Sequence, residues 1–339
     1  MFLVLLLVCC FLAGLAASLL WLKMALARQW FDIPNQRSSH TRPTPKGGGL
    51  AIAIVFGIII LVLVGWNQVA PEEAWFLLPG MSLALAGFMD DLVELGVLPR
   101  IGVQVVAVTC ALWMLPTVPE LPIPLLGAVP SWFAMALLAT AWVWFINLYN
   151  FMAGIDGLAA SEAVFVALAL AWFALDAGLY DDSMALLVLG SVIAGFLSIN
   201  WSPARLFMGD AGSNFLGFML AAFGVMLTLE GAITLWTLLI LLLVFVTDAS
   251  CTLLKRMAAG LVWYHGHRSH AYQLVAAARQ SHGVVVGVVT GINLVWLLPL
   301  AWLSRDMGEW GALVALVACV PLLVLVNHCH GRYLAHGME

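Results

Sequence analysis

Charge is what this 339-residue chain has least of: 13 Lys and Arg with 18 Asp and Glu make 9% of it, against 64% hydrophobic residues. So little charge excludes an ordinary soluble domain, and no nucleic-acid partner is expected. Internal repeats, low-complexity tracts and a linker long enough to separate a second domain are all missing, so residues 1–339 read as one unit. Cysteine is sparse. The six (9, 10, 110, 251, 319 and 329) include no C-x₂₋₄-C pair, which excludes a zinc ribbon and gives no sign of a disulfide framework. No Lys or Arg precedes the first apolar run and no clear small-residue cleavage site follows it. That run therefore reads as a retained helix and not as a signal peptide.

What the chain does have is apolar length. Runs near the ~20 residues that cross a bilayer recur from end to end. Spans are predicted at 2–22, 48–66, 74–89, 101–116, 131–148, 158–176, 184–200, 213–229, 233–252, 284–303 and 310–328. The expectation is an all-α polytopic membrane protein of ten or eleven transmembrane helices. Alternate loops collect Lys23, Arg28, Arg37, Arg42 and Lys46, then Arg100, Arg205, Lys255, Arg256, Arg268 and Arg279, with Arg332 in the tail. Only Arg305 falls opposite. The positive-inside rule places that basic side in the cytoplasm, with the N-terminus periplasmic and the C-terminus cytoplasmic. All eight His share the basic side, so chemistry is expected at the cytoplasmic face. The opposite loops carry Glu72, Glu73, Glu120, Asp176, Asp181, Asp182, Asp306 and Glu309, which read as solvated caps without partners.

Five cytoplasmic segments hold the polarity that topology does not explain. In 31–50 (FDIPNQRSSHTRPTPKGGGL), prolines deny regular helix, and glycines permit close backbone approach to a ligand. Lys46, directly before three glycines and a helix start, reads as an anion contact aided by the helix dipole or as one more positive-inside residue. Asp90 and Asp91 are adjacent carboxylates that raise each other's pKa unless a cation neutralises them, which suits a metal-bound diphosphate or a general base. Being ~100° apart on a helix, one can face a site while the other packs. The segments NLYNFMAGIDG (147–157) and RLFMGDAGS (205–213) place Asn147, Asn150, Asp156 and Asp210 among glycines at helix boundaries. Their oxygens fit Mg²⁺, which takes one or two carboxylates with phosphate oxygens and water. Phe207 reads as a stacking surface for a flat base or as an interfacial aromatic. The fifth segment, WYHGHRSHAYQ (263–273), offers His267, Arg268 and His270 as a cationic cradle for a diphosphate, or is a plain loop. Three readings are structural: Glu162 hydrogen-bonds a neighbour, Asp248 pairs with Lys255 or Arg256, and His328 and His330 belong to the tail.

In this order, PNQRSSHTRPTPKGGG, the MDD at 89–91, NLYNFMAGIDG, RLFMGDAGS and HRSHAYQ resemble the polyprenyl-phosphate N-acetylhexosamine-1-phosphate transferase family. HRSHAYQ is most similar to the bacterial branch that initiates O-antigen or other surface polysaccharide. The resemblance implies an inner-membrane enzyme moving an N-acetylhexosamine 1-phosphate from a UDP-sugar to undecaprenyl phosphate, with release of UMP. It implies Mg²⁺, with Mn²⁺ an alternative, held at Asn150 and Asp210, and Asp90 as a candidate base beside Asp91. Asp156 and Phe207 match positions near the uracil, and His267, Arg268 and His270 match positions near the diphosphate and sugar. Lys46 and Asn147 complete the substrate-binding set, and a homodimer is allowed. Ala153 stands where many bacterial members carry Asp, which shifts weight onto Asp90, Asp91 and Asp210. A transporter or an inactive member of the same fold are the alternatives; acids clustered at one face and the absence of two related halves speak against the first.

Overall fold

α-Helices follow one another from Phe2 to Tyr333 in a computed structural model that describes residues 1–34, 39–117, 122–123, 127–128, 130–262, 264 and 267–333. In hydrocarbon every backbone N–H and C=O must be paired within the segment, so long apolar runs become helices. They are α1 (Phe2–Arg28), α2 (Gly49–Gly65), α3 (Leu77–Val93), α4 (Val97–Met114), α5 (Ser131–Phe151), α6 (Leu158–Asp176), α7 (Tyr180–Asn200) and α8 (Gly209–Leu229). The chain continues through α9 (Leu235–Leu241), α10 (Leu243–Ala258), α11 (Ala271–Arg279), α12 (His282–Ile292), α13 (Leu298–Ser304) and α14 (Gly311–Tyr333). A π-helical stretch, Asn293–Leu297, joins α12 to α13.

Among the described residues nine helices are long and apolar enough to span a membrane. The pair α9 and α10, bent by 77° at Leu242, makes a tenth if it is one span. The remaining apolar run of the eleven is α2, whose 17 residues fall just short. The helices also outrun the apolar stretches. α1 continues past Lys23 to Arg28, α3 carries Asp90 and Asp91 on its last turn, and Arg100 sits in the first turn of α4.

α8 is the axis of the bundle, packed among α2, α3, α5 and α6, while α1 and α14 lie outside. Trp142 stacks on Phe218 at 5.3 Å, and Phe56 meets Phe215 and Phe223 edge-on, so aromatic rings fill the space around α8. Polar side chains gather at the two ends of this core. At the end away from the His loop, Glu72, Asp176, Asp306 and Glu309 are exposed as expected, but Glu73 and Asp182 are not solvated caps. Glu73 and Asp182 are each 6% exposed, and the Asp182 carboxyl hydrogen-bonds those of Glu73 and Glu230. Ala70 donates its N–H to Asp181 at 2.9 Å, and Arg305 pairs with Asp176 and Asp306. Short loops draw these helix ends together and bury acids that the sequence spaces far apart. Burial, with the negative charge of Asp182, pushes the Glu230 carboxyl up to about 7. Glu120 and Arg37 lie outside the described residues, as does His265.

Candidate active site

At the other end, two segments far apart in sequence are laced by backbone hydrogen bonds. Phe207 donates its N–H to Pro45 O (2.8 Å), Gly48 donates to Phe207 O (2.9 Å) and Gly49 to Met208 O (2.8 Å). A two-stranded ribbon pairing Phe31 with Pro45 and Asp32 with Thr44 holds the first segment in turn. The N–H groups expected to meet a ligand at the start of α2 are thus engaged by a neighbouring loop. The Lys46 side chain lines the cleft and lies in the field of Asp91.

Asp90, Asp91 and Asp210 converge here. Asp90 is 9% exposed and fully engaged: it accepts from Leu95 N–H at 2.6 Å and from Arg100 Nη1 at 2.8 Å. The same guanidinium nitrogen lies 3.5 Å from Asp210 Oδ2. Asp91 accepts the N–H groups of Asp210 (3.3 Å) and Ala211 (3.4 Å) at the start of α8, where the helix dipole favours a carboxylate. Gly209 lets that carboxylate in, since it holds φ 71° and a Cβ there would collide with the Asp91 oxygens. Asn150 donates to Asp210 Oδ1 (2.9 Å) and Ser213 Oγ (2.8 Å), joining α5 to α8. Of the two adjacent acids, Asp91 lines the cleft, whereas Asp90, the candidate base by resemblance, faces Arg100.

The cleft has two adjoining lobes with shared lining residues, of about 490 Å³ and 900 Å³. The smaller is lined by Lys46, Asp91, Arg100, Asn150, Ala153, Asp210, His267 and His270, among others. The larger carries Thr41, Arg42, Arg268 and Gln280. Asp156, Phe207, His40 and His282 line both. Asp156 Oδ2 lies 3.1 Å from His282 Nδ1 and accepts Ala204 N–H at 3.1 Å. Burial alone would raise this carboxyl. Hydrogen bonds from His282, Ala204 and Ser202, together with the charge of His282, outweigh burial and hold it below the usual carboxylate range. Phe207 meets the His40 ring edge-on at 4.9 Å. Burial, then the neighbouring His270 and Arg256, push His267 down to about 3, so its ring is neutral at pH 7. The positive charge of the cleft is supplied by Lys46, Arg100, Arg42 and Arg268 instead.

Three other residues sit differently from expectation. Asn147 does not reach the cleft. It donates to Gln104 Oε1 at 2.7 Å, and Gln104 donates to Asn214 Oδ1 at 3.4 Å, forming an amide network one turn below Arg100, Asn150 and Asp210. Asp248 pairs with neither Lys255 nor Arg256. Its oxygens accept the N–H groups of Ala271 and Tyr272 (2.9 Å each) and the Thr252 hydroxyl (3.1 Å), beneath His270 Nδ1 at 3.7 Å. His330 in turn takes Lys255, at 2.9 Å, and Thr252, at 3.2 Å. Glu162 does find a neighbour, accepting from Asn293 Nδ2 at 2.6 Å. Arg100, His40 and His282 were visible in the sequence only as basic-side residues. The signal that could have raised Arg100 is its place one helix start beyond an Asp pair.

Among the described residues no three His, Cys, Asp or Glu side chains form a ready-made metal cage. The donor set nevertheless suits a hard cation completed by phosphate oxygens: three carboxylates face two fixed cations, and an amide that offers oxygen or nitrogen by turning over stands beside them. All donors are oxygen or amide, which favours Mg²⁺ or Mn²⁺ over softer metals.

Residues 74–228 match Glycosyl transferase family 4. Over 310 residues the chain is 28% identical to the "Probable undecaprenyl-phosphate N-acetylglucosaminyl 1-phosphate transferase" of Bacillus subtilis (strain 168), covering 88% of this chain and 84% of that one. It is 32% identical over 209 residues to the "Decaprenyl-phosphate N-acetylglucosaminephosphotransferase" of Mycobacterium tuberculosis (strain CDC 1551 / Oshkosh), covering 56% of this chain and 51% of the relative. The "Phospho-N-acetylmuramoyl-pentapeptide-transferase" of Latilactobacillus sakei subsp. sakei (strain 23K) is 31% identical over 230 residues, 62% of this chain and 69% of its own. The motifs, the membrane bundle and these likenesses agree: the chain belongs to glycosyl transferase family 4, the polyprenyl-phosphate N-acetylhexosamine-1-phosphate transferases.

Proposed function

We propose that this protein transfers an N-acetylhexosamine 1-phosphate from a UDP-sugar to undecaprenyl phosphate at the cytoplasmic face of a bacterial inner membrane, releasing UMP. The observation that carries the proposal is the convergence of Asp90, Asp91, Asp210 and Asn150 at the base of a cation-lined cleft. N-Acetylglucosamine is the favoured sugar, because two of the relatives above are named for it. The HRSHAYQ form supports a role in beginning O-antigen or another surface polysaccharide.

Both reactants are anions, so the first task of the site is to bring them together. Lys46, Arg42 and Arg268 neutralise the diphosphate, and Arg100 stands where charge builds on the transferring phosphoryl group. Phe207 and Asp156 take the uracil, one by its ring and the other by its carboxylate, which His282 keeps turned into the cleft. Asn150 and Asp210 would hold Mg²⁺ through their oxygens; when bound, the ion would screen the diphosphate and favour UMP as leaving group. An oxygen of the lipid phosphate attacks the phosphorus that bears the sugar. One P–O bond forms as the bond to the bridging oxygen breaks, and the electron pair leaves with UMP. Asp91 accepts any proton left on the lipid phosphate, whose second pKa is near ~6 if it behaves like a phosphoserine. Asp90 holds Arg100 in place.

The Lys and Arg bias supports the N-terminus outside and the C-terminus inside, and a single unit over 1–339 belongs to the same reading. Purified protein in detergent, given undecaprenyl phosphate, Mg²⁺ and a panel of UDP-sugars, should release UMP and form a lipid-diphosphate sugar with a UDP-N-acetylhexosamine. No UMP from any member of the panel would overturn the proposal.

A further inference from the structure

The turn between Asn150 and Asp156 has little of its own to hold it. α5 ends at Phe151, and its last carbonyls have no partner further along the helix. Hydrogen bonds from Met152 and Ala153 N–H take up Leu148, Tyr149 and Asn150 O, leaving the Phe151 carbonyl and the Gly154 N–H to find partners elsewhere. One atom serves both. The Tyr272 hydroxyl donates to Phe151 O at 2.8 Å and accepts from Gly154 N–H at 3.1 Å. The fit extends to sequence: a Cβ at Gly154 would collide with that hydroxyl, so the glycine is needed there for space.

Tyr272 itself is firmly placed. It is 4% exposed, its ring lies along that of His270 at 5.8 Å, and its backbone N–H is taken by Asp248. Burial, with Asp248 nearby, holds the phenol well above its ordinary value, so it is a neutral O–H donor at any working pH.

We propose that Tyr272 is a positioning residue for transfer: its hydroxyl clasps the Phe151–Gly154 turn so that Asn150 and Asp156 are presented to the cleft together. The proposal rests on the reading that Asp156 faces the uridine end of the donor. It assigns the segment after the His/Arg loop a task distinct from touching the diphosphate. The aromatic side chain closes one wall of the donor site from behind.

The test is steady-state kinetics of the full chain in detergent with undecaprenyl phosphate, for Tyr272→Phe, Gly154→Ala and the double variant. Tyr272→Phe deletes one oxygen and should raise KM for the UDP-sugar about tenfold, as expected for a pair of lost buried hydrogen bonds, with KM for undecaprenyl phosphate unchanged. Gly154→Ala should displace the hydroxyl and do the same or worse. Adding Tyr272→Phe to Gly154→Ala should restore some of the loss, because removing the oxygen makes room for the methyl group. A fall in kcat with both KM values at wild type, accompanied by a lower melting temperature, is what a merely structural tyrosine gives and would overturn the proposal. So would wild-type kinetics in Tyr272→Phe, or a double variant worse than either single. If Tyr272→Phe does not fold, Gly154→Ala alone decides through the same split of KM values. A wild-type enzyme that releases no UMP from any UDP-sugar sinks the functional reading itself, which separates the two failures.

Discussion

Replacing Arg100 with Gln should push two quantities in opposite directions. In the structure one guanidinium nitrogen stands 2.8 Å from Asp90 and 3.5 Å from Asp210, so it competes with any cation for those carboxylates. A unit charge at ~4 Å contributes about 1 kcal/mol in water-like surroundings and about 4 kcal/mol near a protein surface. The Arg100 side chain is 30% exposed, which selects the lower end. Its removal should therefore lower the Mg²⁺ concentration for half-maximal activity by about fivefold, equivalent to ~1 kcal/mol. Turnover should fall all the same, because the developing charge on the transferred phosphoryl group loses its partner. Asp210→Asn and Asn150→Ala are the counter-series and should raise the Mg²⁺ requirement as activity drops. The assay is UMP release against Mg²⁺ in detergent, with melting temperature as the check on folding. A folded Arg100→Gln enzyme needing as much Mg²⁺ as wild type, or more, would refute the placement of the ion beside Asp210.

Three further outcomes follow from the geometry. Asp91→Asn should reduce turnover by something like the ~10²–10⁴-fold of a lost general base, whereas Asp90→Asn should mimic Arg100→Gln in slowing turnover by loosening the guanidinium. A burst of UMP before lipid is added, abolished in either variant, would replace displacement with a covalent carboxyl intermediate. Cysteine at Ser39 should resist an impermeant thiol reagent on intact cells while cysteine at the exposed Tyr180 labels, in a background free of native cysteine; the converse would invert the orientation. Stability should decline as pH falls below the ordinary His value of 6.5. There an unfolded chain takes up a proton that His267, pushed down to about 3, declines until far lower pH. His267→Gln should flatten that slope between about pH 7.5 and 5.0 in thermal unfolding, and an unchanged slope would exclude His267 as its source.

Much of this site is legible in the sequence because its residues are polar where a membrane chain has almost no polarity. Asp91, Asn150, Asp156, Asp210 and Lys46 stand out against apolar runs, and the structure gathers all five in one cleft. What could not be read locally is pairing. Nothing near His282 in sequence points to Asp156, 126 residues earlier, and nothing near Asp248 points to the N–H groups of Ala271 and Tyr272. The orientation of Asp90 against Asp91 depends on where Arg100 and the start of α8 arrive, which the ~100° between neighbours on a helix leaves open. Asn147 misled because it sits at i−3 from Asn150, on the same face but one turn deeper in the bundle. At the far end Glu73 and Asp182 misled in the other direction: short loops bring them against neighbouring helix ends, while Glu72, Asp306 and Glu309 stay exposed.

The Gln104, Asn147 and Asn214 side chains also bear on how the protein comes together. Apolar helices in lipid have little to prefer one longitudinal position over the next, since a tail and a leucine are equally welcome neighbours. Three amides on α4, α5 and α8 change that. Sliding any of these helices by a single residue strands a donor and an acceptor in hydrocarbon, at a cost of roughly 2–7 kcal/mol for each polar group without a partner. Assembly in the bilayer therefore has a latch, and the latch closes only when the three helices are level.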